Sequence, residues 1–130
     1  MAKLDQIQRQ VDGLRSSIPE LRGVLVASSE GLPIAHALSP GMEPARLAAM
    51  AAAASSLGKK VSEGVGAGPM VETLVTGTEG QIFLYSAGGK AVLAVFAPAG
   101  ANAGLVHLEA RSVARELEEL LGGERREMAA

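Results

Sequence analysis

Leu4, Ile7, Val11, Leu14 and Ile18 advance in alternating steps of three and four, which predicts an opening amphipathic helix with a narrow apolar seam, ended by Pro19. Two short extended runs follow, Gly23 to Ser28 and Leu32 to Leu38, and Gly31 in the connecting turn makes them a predicted hairpin. Pro33 has no donor for a ladder, so it is expected at a sheet edge or a bulge. Pro44 suits a first helical position, and the spacing predicts a long helix from there to about Gly64. Met70 to Thr76, Gln81 to Ser86 and Lys90 to Ala97 then read as a three-stranded meander with glycine-bearing turns. The last run is nearly all apolar, as a central strand covered on both faces would be. Ala103 to Leu121 closes the chain as a helix with Val106, Ala110, Val113, Leu117 and Leu121 on one face. The order helix, hairpin, helix, meander, helix predicts an α+β domain of two or three layers with five antiparallel strands. Residues 1–122 are expected to form a single domain, and residues 123–130 a flexible polar tail.

The long helix carries two patterns. Leu47, Met50, Leu57, Val61 and Val65 recur near a 3.6-residue period and are expected to be its buried stripe. Beside them lie Ala45, Ala48, Ala49, Ala52, Ala53, Ser55 and Ser56, a strip with neither the charge of a solvated face nor the bulk of a core. Such a strip lets another helix backbone come close, so the helix is expected to serve both its own core and a neighbouring chain. High helix propensity also favours alanine here, and alanine alone does not separate the two explanations.

Composition narrows the chemistry. With 48% hydrophobic but only 2% aromatic residues, burial rests on aliphatic packing, and a base-stacking nucleic-acid platform is not expected. Twelve basic and fourteen acidic residues give a formal charge of -2 without a basic stripe, which also speaks against nucleic acid. The absence of cysteine excludes disulfides, thiolate nucleophiles and cysteine-held metals. No apolar run reaches the length of a membrane span and the N-terminus lacks a signal-peptide pattern, so a soluble cytoplasmic protein is expected.

His36 and His107 lack a metal-ligand spacing and are expected on a strand edge and a helix surface. Glu72 and Glu79 are expected on solvated faces rather than converging as general acid and base. No serine lies in a GxSxG elbow. GVGAGP follows a helix and precedes a strand, the reverse of a phosphate-cradling loop, and GGKA lacks the full P-loop spacing. Neither a catalytic residue, a cofactor nor a metal is expected.

Three segments together, GVLVASSEGLPIAHAL, ARLAAMAAAASSLGKKV and KAVLAVFAPAGANAGLVHLEARSVARELEEL, resemble the Roadblock/LC7 family, over about Leu4 to Leu121. The resemblance implies a profilin-like fold and a non-enzymatic homodimer whose middle strands join into one sheet with the long helices side by side. The resemblance implies a bacterial MglB-like regulator of Ras-like small GTPases; dynein light chains and lysosomal scaffolds belong to the same family. Transferred to this chain, it implies a dimer interface at Ala49, Ala53 and Ser56 on the helix and at Val71, Thr73 and Val75 on the strand. Arg46, Lys59 and Lys60 are the candidates for contact with a GTPase, and no arginine is assigned as a catalytic finger. Two other readings remain open: a structural adaptor without effect on nucleotide turnover, and a small-ligand sensor, against which the scarcity of aromatic and convergent polar residues argues.

Overall fold

Three helices and five strands follow one another in the predicted order: α1 (Ala2–Ser17), β1 (Gly23–Ser28), β2 (Pro33–Leu38), α2 (Pro44–Gly64), β3 (Glu72–Thr76), β4 (Gly80–Ala87), β5 (Ala91–Pro98) and α3 (Ala103–Ala129). The computed structural model describes the backbone of residues 2–129 and the side chains of residues 3–122. The closing helix thus runs past Leu121. The expected flexibility of the tail at 123–130 lies outside the described side chains. No helix among the described residues is long and apolar enough to cross a membrane.

The strands form one antiparallel sheet in the order β2-β1-β5-β4-β3. β5 is central because Ala91 to Ala97 are apolar throughout, so both of its faces can be covered. At the β2 edge the register slips between Val26 and Ala27, where Ala27 faces Pro33, so the residue without a donor sits at an irregularity, as expected.

Alternation divides the strands between two cores. Val24, Val26, Phe83, Tyr85, Leu93 and Val95 point to one face, where Ile7, Val11 and Leu14 of α1 and Val106, Ala110 and Leu117 of α3 cover them. Leu25, Ala27, Leu84, Val92, Ala94 and Phe96 point to the other, under α2. The domain therefore has three layers.

The phase of α2 is the reverse of the sequence expectation. Ala48, Ala51, Ala52 and Ser55 face the sheet, whereas Met50, Leu57, Val61 and Val65 are 56%, 63%, 56% and 75% exposed and Leu47 is only half-buried. The reason lies in the opposing surface. Leu25, Leu84, Val92 and Phe96 already supply bulk, and small helical residues let α2 settle onto them without overfilling the layer. Two glycines fix this approach. A Cβ at Gly58 would collide with the Thr73 hydroxyl and lie 2.8 Å from Met70 Sδ, and one at Gly31, whose φ is 94°, would lie 3.2 Å from Ala49 Cα. The helix ends where the glycines of GVGAGP provide positive φ, 75° at Gly66 and 85° at Gly68, while the Ser62 hydroxyl donates to the Gly68 carbonyl at 2.6 Å.

Ser55 is 1% exposed and its Oγ has no hydrogen-bond partner among the described residues. Removing an unsatisfied buried hydroxyl relieves its desolvation cost, and alanine is the better helix former. Ser55→Ala is expected to raise stability by about 1 kcal/mol in a urea melt.

Candidate interaction surface

Among the described residues β3 hydrogen-bonds to β4 alone, so its outer edge carries the unpaired backbone groups that allow a sheet to continue into another chain. Thr73 and Val75 oppose Leu84 and Ile82 on the α2 face, and Glu72 and Leu74 oppose Tyr85 and Phe83 on the other. The strand carries one exposed apolar residue on each side, Leu74 being 48% and Val75 46% exposed. Beside it, Leu47, Met50 and Ala54 of α2 and Val75, Ile82 and Phe96 of the sheet border an apolar groove of about 130 Å³. Met50, Leu57 and Val61 recur at steps of seven and four, so they form one stripe along the outer side of α2. Exposed apolar side chains are ordinary when scattered, but here they run together along a helix and an unpaired strand.

The expected interface residues lie in three different settings. Ala49, Ala53 and Ser56 are exposed on the ridge of α2 that adjoins the apolar stripe. Val75 borders the groove, while Thr73 is half-buried beneath Gly58 with its hydroxyl 2.9 Å from Met70 Sδ. Val71 precedes the strand, is 58% exposed and lines a cleft toward α3. Of the expected partner contacts, Arg46 and Lys60 are exposed and share the outward ridge with Ala53, at intervals of two turns. Lys59 is half-buried and points to a different side of the helix. Met50, Leu57 and Val61 are the surface residues that sequence reasoning misassigned. Their period was legible, but the face it marked was not.

On the opposite face of β3 a polar cluster ties the strand to α3. His107 Nδ1 lies 2.5 Å from Glu72 Oε1 and 3.3 Å from the Tyr85 hydroxyl, with the two rings 5.8 Å apart. Glu72 is exposed, as expected, but accepts from His107, which is half-buried and bridges elements rather than lying free on the helix surface. His36 is exposed on the edge strand β2, as expected.

Burial of the Tyr85 ring, and next the Glu72 carboxylate, push its hydroxyl well above the ordinary phenol range, with Arg111 opposing. The folded state therefore keeps a proton that the unfolded chain gives up above about pH 10, so stability is expected to fall as pH rises through that range. Tyr85→Phe is expected to flatten the alkaline limb of a urea-stability profile. Because Tyr85 is the chain's one tyrosine, phenolate absorbance reports the same group directly.

The Roadblock/LC7 domain family profile matches residues 7–97. Two proteins of Methanocaldococcus jannaschii, the uncharacterized proteins MJ1340 and MJ0310, are each 26% identical over 100 residues, which is 77% of this chain and 87% of theirs. Among solved structures, Myxococcus xanthus MglB superposes with a TM-score of 0.83 at 18% identity, over 92% of this chain and 90% of its own. The Roadblock/LC7 domain from Streptomyces avermitilis superposes with a TM-score of 0.79 at 24% identity, over 88% and 96%. The element order, the five-stranded antiparallel sheet and the profile match agree, and the chain belongs to the Roadblock/LC7 domain family.

Proposed function

We propose that this chain is a non-enzymatic homodimeric regulator or scaffold of a Ras-like small GTPase, assembled through β3 and α2. The observation that carries the reading is the exposed apolar stripe of α2 lying beside an unpaired edge strand. Two copies related by a two-fold axis pair their β3 strands antiparallel, which satisfies both edges at once and brings the two α2 helices together on one face. Met50, Leu57, Val61 and Val75 then lose water across the axis, and Ala49, Ala53 and Ser56 allow close backbone approach next to them. The fold likeness to MglB, and to a structure described as "MglB with tetrameric arrangement", supports assembly as the working state.

Arg46 and Lys60 stay outward in this arrangement and, with Lys59 on a different side of the helix, are the proposed contact for the GTPase. Any acceleration of hydrolysis comes from repositioning the partner's own catalytic groups, since nothing at this contact is preorganised as an arginine finger. The test is to mix the purified protein with the small GTPase encoded nearest to it, loaded in turn with GDP and a GTP analogue, and to measure complex formation and GTP turnover. Nucleotide-selective binding with faster turnover is the expected result. Binding without acceleration assigns the adaptor role, and absence of binding in every nucleotide state refutes the GTPase reading for that pair.

A further inference from the structure

We infer that the cleft between the β4–β5 turn and α3 is a binding site for a small organic polyanion, one carrying two or more carboxylate or phosphate groups. The cleft has a volume of about 400 Å³, within the range of metabolite sites. Arg111 and Arg115 stand one turn apart on its α3 wall, and Tyr85, Ser86, Gly88 and Gly89 form the sheet wall. A second hollow of about 230 Å³ shares Gly88 and Gly89 and adds Lys90.

The electrostatics favour an anion. Among the described residues none of Lys90, Arg111 and Arg115 has a carboxylate within ion-pair distance, so their charge is uncommitted. Two carboxylates lie nearby against these three cations: Glu72, which is hydrogen-bonded to His107, and Glu118, which borders both hollows with its stem packed against Gly88. This excess of positive charge lies on a chain of formal charge -2, so it is a local feature rather than a spread of net charge. Guanidinium forks match carboxylate and phosphate oxygens in pairs, which a lone ammonium does not. The facing turn has a φ of 72° at Gly88 and is braced by the Ser86 hydroxyl, which donates to the Gly88 carbonyl at 2.9 Å.

The site supplies its own probe. The chain has no tryptophan and one tyrosine, so its intrinsic fluorescence comes from Tyr85, in the cleft wall. Citrate and pyrophosphate are titrated separately against the full chain at constant ionic strength, with chloride as the balancing anion. A saturable change in Tyr85 emission is expected with at least one of them, and which one responds distinguishes a carboxylate ligand from a phosphate ligand. The double variant Arg111→Ala/Arg115→Ala is expected to weaken binding by about tenfold or more, the scale of a lost charge-assisted hydrogen bond, whereas Arg9→Ala on α1 binds as the parent chain does. Both arginines are exposed, and a thermal melt confirms that the variant is folded. Absence of a saturable change with either anion, or equal weakening by Arg9→Ala, overturns the inference. Light scattering on the same samples reads the oligomeric state independently, so failure here and failure of the dimer are separable.

Discussion

Leu57→Glu is expected to convert the proposed dimer into folded monomers. Leu57 is 63% exposed in the isolated subunit, so the substitution removes little from the subunit's own core. At a two-fold interface every change occurs twice. Losing the burial of two leucines that are already partly covered removes about 2 to 4 kcal/mol of association free energy, and two carboxylates brought together out of water add a further penalty. The dimer constant should therefore weaken by a factor of at least about 100. Sedimentation or light scattering across a dilution series reads the mass, and circular dichroism reads the fold. A variant that remains dimeric at roughly ten micromolar, or a parent chain that is already monomeric there, contradicts the interface.

Most of the architecture was legible because it rests on local signals. The three-and-four spacing of α1, the apolar run of β5 and the turn glycines each state their element without reference to the rest of the chain. The orientation of α2 was not. Periodicity reports that a helix has two unlike faces, and the larger apolar face is ordinarily the buried one. Here the sheet beneath α2 carries Leu25, Leu84, Val92 and Phe96, so volume complementarity assigns Ala48, Ala51 and Ser55 to the core and leaves Met50, Leu57 and Val61 outside. That choice depends on what lies across the layer, which a window along the helix does not contain. The cluster of Glu72, Tyr85 and His107 escaped notice for a related reason. Its members come from β3, β4 and α3, and only strand register brings Glu72 opposite Tyr85. The placing of Arg111 and Arg115 across from the Gly88 turn is likewise a product of the fold.

The reversed phase of α2 makes its own prediction, which compares two alanines five residues apart. Ala48 is fully buried against the sheet, in the cluster that holds Leu25, Leu84 and Phe96. Ala48→Leu adds three carbons to a filled layer, and the helix has little freedom to lift away. It is pinned where Gly58 passes over Thr73 and where the Gly31 turn meets Ala49. The expected loss is about 2 to 3 kcal/mol, the upper part of the range for overpacking. Ala53 is exposed on the outward ridge, so Ala53→Leu should change subunit stability by no more than about 0.5 kcal/mol. Both substitutions belong in the Leu57→Glu background, because dimerisation stabilises the folded state by mass action and would mask the subunit's own response. Urea denaturation of the monomeric variants then separates the faces. A larger loss at Ala53 than at Ala48 would place Ala53 and the neighbouring leucine stripe inward and Ala48 outward, and with that reversal the exposed apolar face on which the proposed dimer rests would disappear.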